Sequence, residues 1–130
     1  MVISVTLLYA LLLGGLGLIL QFLVSVRRGQ ANISLESGGD PALTEAIRRH
    51  ANWIETVPIA LLVMLLLELN DTPKTWLHGL GAVLLGARIL HPFGLDAANL
   101  MRPLRFAGMG GTILATLGLF GIGAWQLLVR

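Results

Sequence analysis

The sequence predicts an all-α integral membrane fold, a four-helix transmembrane bundle in one domain over residues 1–130. Three observations carry that expectation. Hydrophobic residues make up 55% of the chain and charged residues 12%, roughly half the charged share of an ordinary soluble domain. The apolar residues gather into four runs, each near the roughly 20 residues that cross a bilayer. None of the runs alternates polar with apolar residues as a half-buried strand would. The same composition excludes a disordered chain, which would be polar and charged. With no cysteine, disulfide scaffolds, thiolate metal sites and thiol catalysis by the protein itself are excluded. A net charge of +2 is too small for a nucleic-acid surface.

Helix one is expected over about residues 2–26, where Tyr9 is the one ionisable side chain. A cleavable leader would need a basic start and a shorter apolar run, so this segment reads as a retained helix. Helix two is expected over 41–69, with Asp40 as N-cap acceptor and Pro41 at the first helical position. Its first third is polar, from Glu45 to Glu55, and the stretch from Thr56 to Leu67 is almost wholly aliphatic. Pro58 removes one i→i−4 hydrogen bond, so a bend is expected there. Helix three is expected over 73–91, with Thr72-Pro73 read as the same cap signature. Helix four is expected over 104–129. Only residues 70–72 join helices two and three, which makes those two an antiparallel hairpin.

Basic residues set the expected orientation. Arg27, Arg28, Arg48 and Arg49 surround the first connection, and Arg102 and Arg105 the third. The opposite side has Lys74 and Arg130. Six against two puts the first and third connections in the cytoplasm and both termini outside. In helix four, Gly111, Ala115 and Gly118 form a line of small residues that lets helix backbones approach closely in lipid. Gly108-Met109-Gly110-Gly111 follows no strand, so it has no context as a nucleotide loop.

The functional signal lies in the charges. Ionisable groups at membrane depth are costly and usually face a bundle interior or a water-filled cavity. Arg48, Asn52 and Glu55 share one face of helix two, with Glu45 one turn earlier. Arg88 and His91 sit one turn apart late in helix three, and Glu55 is the expected partner of Arg88. Arg102 and Arg105 open helix four. Up to six guanidiniums therefore meet at one membrane boundary. Arginine forks match carboxylates, so the pattern suggests a small polyanionic ligand with an apolar co-substrate arriving from lipid. Attraction to anionic lipid headgroups is the competing explanation, but it gives Asn52 and Glu55 nothing to do. Metal binding is disfavoured, because the three histidines form no HxxxH or HExxH motif and the arginines repel cations.

The run Glu45-Ala46-Ile47-Arg48-Arg49-His50-Ala51-Asn52-Trp53-Ile54-Glu55, followed by Pro58, resembles the signature of the MAPEG family. These are membrane-associated proteins of eicosanoid and glutathione metabolism. The block Gly86-Ala87-Arg88-Ile89-Leu90-His91-Pro92-Phe93-Gly94 is similar to the family's third helix, and Ser34 to Leu43 to the link before its second. The resemblance covers nearly the whole chain. It implies a homotrimer in the bacterial inner membrane, with both termini periplasmic and glutathione bound as co-substrate between subunits near the cytoplasmic face. The family's binding residues carry over to Arg48, Asn52, Glu55, Arg88 and His91. Arg27 or Arg28 would add a contact from helix one, and Arg102 one from the boundary. Arg105 would be the catalytic residue, holding the glutathione thiolate against a lipophilic electrophile in a transferase or peroxidase reaction. Ala51, Phe106 and Met109 stand where family enzymes carry an arginine, a serine and a tyrosine. These departures argue against prostaglandin isomerase chemistry and keep a non-catalytic binding protein as the alternative. A small multidrug transporter is the weaker alternative, because helix one lacks the glutamate that those proteins keep there.

Overall fold

The computed structural model describes residues 4–95 and 102–129. Four helices run through them: α1 Val5–Ala31, α2 Pro41–Leu69, α3 Lys74–Gly94 and α4 Pro103–Val129. Val2 and Ile3 of the expected first helix, residues 96–101 of the third connection and Arg130 lie outside the described residues. Among the described residues there is no strand. α1 runs five residues past its expected end, through Arg27 and Arg28. It stops at Asn32, whose left-handed backbone (φ 54°) lets its N–H bond back to the Arg28 and Gly29 carbonyls. α2 starts as expected: Asp40 Oδ1 accepts the Leu43 N–H at 2.7 Å, with Pro41 in the first turn.

The cap expected at Thr72 is not made. α3 begins one residue beyond Pro73 with no side-chain cap. The Thr72 hydroxyl instead accepts from Gln126 Nε2 of α4 at 2.9 Å, so its oxygen ties two helices rather than starting one. α3 also packs chiefly against α4, and α1 against α2. The short turn after α2 therefore makes a chain connection more than a packed pair.

Glycines fix the α3–α4 approach. A Cβ on Gly108 would lie 2.7 Å from His91 Cα, one on Gly111 2.9 Å from the Ala87 Cβ, and one on Gly118 2.7 Å from Leu80. Gly94 meets the Arg105 backbone. Those contacts run in opposite senses along the two helices, so α3 and α4 are antiparallel over nearly their whole length. The line of Gly111, Ala115 and Gly118 is thus a packing seam, and Gly108 to Gly111 lie within α4 rather than in a loop. α1, α2 and α4 are long and apolar enough to cross a membrane. α3 is less apolar, with Lys74, His78, Arg88 and His91, but at 21 residues and about 1.5 Å per residue it spans the same depth beside α4.

The core draws on all four helices: Leu13 of α1, Val57 and Met64 of α2, Leu77 and Leu84 of α3, and Leu119 of α4 are each fully buried. Large apolar side chains such as Leu18, Phe22, Leu114 and Leu117 point outward, as a lipid-facing surface requires. Where α1 begins, Glu68 reaches across from the end of α2. Its carboxylate accepts the N–H groups of Ser4 and Val5 at 2.9 Å and of Thr6 at 2.7 Å. These first-turn donors have no partner within their own helix, and the Ser4 side chain does not cap them. Lys74 Nζ adds a bond to Ser4 Oγ. α1 thus starts, α2 ends, α3 starts and α4 ends at one pole of the bundle, and the arginine-rich sequence lies at the other.

Candidate functional site

Arg88 is the centre of the arginine pole. It comes from the fourth turn of α3 and is 3% exposed. Nη1 donates to Asn52 Oδ1 at 2.7 Å and to Thr56 Oγ1 at 3.3 Å, both on α2. Nη2 donates to the Gly108 carbonyl of α4 at 3.1 Å. Nε is buried without an acceptor. One guanidinium therefore ties three helices together. Gly108 can be reached because it lacks the Cβ that would push α4 off α3. Its carbonyl also accepts from Thr112 Oγ1 at 2.8 Å.

The expected Glu55–Arg88 pair does not form. Every partner of Arg88 among the described residues is neutral. The reason is angular. At about 100° per residue, Asn52 and Thr56 are about 40° apart on α2, and Arg88 enters between them. Glu55 falls about 60° to the far side of Asn52, within about 20° of Arg48. Glu55 therefore pairs with Arg48, Nη1 to Oε1 at 3.7 Å, with the side chains 55% and 58% exposed. Both were expected in a buried setting; in the single chain they face outward. The sequence-based expectation missed Thr56 as a partner of Arg88, although its position one turn after Asn52 on the same face is the signal that could have found it.

His91, one turn after Arg88, is 4% exposed. The charges of both Arg88 and Arg105 reach its ring. Arg105 is half-buried in the first turn of α4, its N–H bonded to the Arg102 carbonyl at 3.0 Å. The Arg102 side chain is exposed. Arg28 is committed to its own connection, donating from Nη1 to the Ser34 and Glu36 carbonyls at 3.2 and 2.8 Å. Arg27 is exposed, bonds Gln30 at 3.1 Å and lines a small cavity of about 90 Å³ with Glu45 and Arg49. Of the two helix-one arginines, Arg27 is the more exposed, and Arg28 is the one held by backbone carbonyls of the following connection. Arg49 donates from Nη2 to Glu45 at 3.2 Å and to the Leu95 carbonyl at 2.8 Å, which anchors the end of α3 on α2.

The structure thus joins Arg88 to Asn52, Arg48 to Glu55, and His91 to the fields of Arg88 and Arg105. Among the described residues no hydrogen bond or ion pair links Arg27, Arg102 or Arg105 to Arg48 or Glu55. A larger cavity, about 710 Å³, lies at the opposite pole between exposed Trp76 and Trp125, with Gly118 and Gly121 in its wall. Among the described residues it has no titratable lining residue, and it takes no part in the arginine site.

Four helices running alternately up and down, apolar outside and polar at one pole around a buried guanidinium, define a multi-pass membrane protein. A family model described as the MAPEG family matches residues 6–125. The chain belongs to that family, one of membrane transferase- and peroxidase-type proteins related to glutathione. It is 35% identical over 123 residues to the inner membrane protein YecN of Escherichia coli (strain K12), an alignment covering 95% of this chain and 92% of that one. The YecN of Escherichia coli O6:H1 (strain CFT073) matches with the same identity and coverage. No solved structure matches.

Proposed function

We propose that this chain binds glutathione at the arginine pole and uses its thiol on lipophilic electrophiles, as a membrane transferase or peroxidase. The observation that carries the reading is a face of α2 on which Arg48, Asn52 and Glu55 stand outside a buried Arg88 whose partners among the described residues are neutral. Glutathione carries two carboxylates, an ammonium and peptide groups. Arg48 and Arg27 suit the carboxylates, Glu55 the ammonium, and Asn52 a peptide or carboxylate oxygen. Arg102 completes the wall. A free thiol has a pKa of roughly 8.5, lowered by adjacent cations, and Arg105 is the cation assigned to the sulfur. In a transfer, the thiolate sulfur attacks an electrophilic carbon, a C–S bond forms, and the bond from that carbon to its leaving group, a halide for an aryl halide, breaks with its electron pair departing on the leaving group. With a peroxide, the sulfur attacks oxygen, the O–O bond breaks and an alcohol leaves. A second glutathione then displaces water and gives the disulfide.

The exposure of Arg48 and Glu55 supports a site completed by a neighbouring copy. A charged pair facing hydrocarbon is costly, and a homotrimer would cover it. The six-to-two split of basic residues supports an arginine pole in the cytoplasm and both termini in the periplasm. The relatives' description as inner membrane proteins supports the bacterial inner membrane as the location.

One observation favours a second reading, a lipid- or glutathione-binding protein without catalysis. The chain's one tyrosine lies at the opposite pole, buried, with its hydroxyl donating to the His78 carbonyl at 2.9 Å, so it cannot serve the thiol. Calorimetric titration of glutathione into detergent-purified protein tests binding, and the same sample with a lipophilic aryl halide tests conjugation. No heat of binding removes both glutathione readings. Heat without conjugation or peroxide reduction leaves the non-catalytic one.

A further inference from the structure

A guanidinium has five N–H donors and no acceptor. A side-chain amide has one oxygen and one NH2. Facing Arg88, Asn52 can only present its oxygen, as the 2.7 Å contact has it. The NH2 must then point away from Arg88. Among the described residues Asn52 Nδ2 makes no hydrogen bond, and Asn52 is half-buried beside exposed Arg48 and Glu55. Two amide donors are therefore aimed at the space into which that exposed pair opens. Arg88 is placed differently. It is 3% exposed, both of its Nη atoms are bonded to α2 and α4, and its Nε is enclosed. It has no surface with which to meet a ligand.

The geometry points to Arg88 as a positioning residue that acts through Asn52. By taking the amide oxygen it fixes the amide so that the NH2 faces an acceptor oxygen of the ligand, a carboxylate or peptide carbonyl. This rests on glutathione occupying the arginine pole, and it reassigns Arg88 from ligand contact to orientation of a contact. Thr56 completes the grip, because its hydroxyl hydrogen is already given to the Asn52 carbonyl at 2.8 Å, which leaves its lone pairs for Arg88.

A double-mutant cycle tests it. Glutathione is titrated calorimetrically into the full-length protein, Arg88→Met, Asn52→Ala and the double variant. Arg88→Met should weaken binding about tenfold, the order of one hydrogen bond to a charged group. In the Asn52→Ala background the same change should move affinity less than about twofold. Arg88→Lys, which still offers only donors to the amide oxygen, should recover part of the loss. Asn52→Asp should hold or raise the melting temperature, since Arg88 gains a carboxylate, yet lose binding, since no donor remains. Equal losses in both backgrounds would mean direct contact or general structural damage and would overturn the positioning role alone. Retained binding in Asn52→Asp would also overturn it. If Arg88→Met does not fold, the lysine and aspartate variants decide. An absence of glutathione binding to the unaltered protein overturns the glutathione reading and, with it, the role built on it.

Discussion

Two carboxylates on α2 illustrate how little a residue's identity says about its energetics. Glu55 is paired at 3.7 Å with both side chains more than half exposed, and such pairs contribute about 0.2–1 kcal/mol. Glu55→Gln should therefore shift the melting temperature little while weakening glutathione binding, which thermal unfolding and titration of the same variant will separate. Glu68 is buried and satisfies three N–H groups at once. Glu68→Ala should cost about 2 kcal/mol, the upper range for a lost N-cap, read by thermal or detergent unfolding, with glutathione affinity unchanged because the cap lies at the opposite pole. The sequence made Arg88, Asn52 and Glu55 legible as site candidates, because charge inside an apolar run stands out. It did not make their pairing legible. Which residue Arg88 meets depends on the rotation of α2 against α3, and a difference of one or two residues around the helix exchanged Glu55 for Thr56. Glu68 passed unnoticed for a related reason: it ends an aliphatic run, and its function comes from a helix start 62 to 64 residues away in sequence.

At the level of elements, the ends that depend on local chemistry were legible and those that depend on a neighbour were not. Asp40-Pro41 starts α2 through its own side chain. Thr72-Pro73 carries the same kind of signature, a short polar acceptor before proline, but the threonine is drawn to Gln126. The glycine seam was legible as a seam, though only the structure sorts its members. A Cβ at Gly108 would meet backbone atoms of α3 at 2.7 and 2.9 Å, whereas one at Gly110 would meet nothing within 4 Å. Gly108→Ala should therefore force the helices apart, at about 1–3 kcal/mol, and disturb the Arg88–Gly108 bond. Gly110→Ala should be neutral or stabilising by up to about 1 kcal/mol, through helix propensity alone. Unfolding midpoints of the two variants, measured side by side, check the contrast.

For the molecule as a whole, α1 starts and α4 ends at one pole, so the proposed topology of four crossings predicts that segments fused at either end lie on one side of the membrane. Reporters fused before α1 and after α4 should give the same reading, and the basic-residue split makes that reading periplasmic. Cytoplasmic activity from either fusion would move the arginine pole to the wrong side for cytoplasmic glutathione. The pole that holds the chain ends also bears on how the protein is made. The N–H groups that open α1 find their acceptor on Glu68, which the ribosome adds up to 64 residues later, a delay of about 3–13 s at typical rates of synthesis. Hydrocarbon offers those donors nothing in the meantime, so they must wait in water or in the insertion machinery. α1 is thus made well before it is finished, and it is α2, on arrival, that fixes where α1 begins.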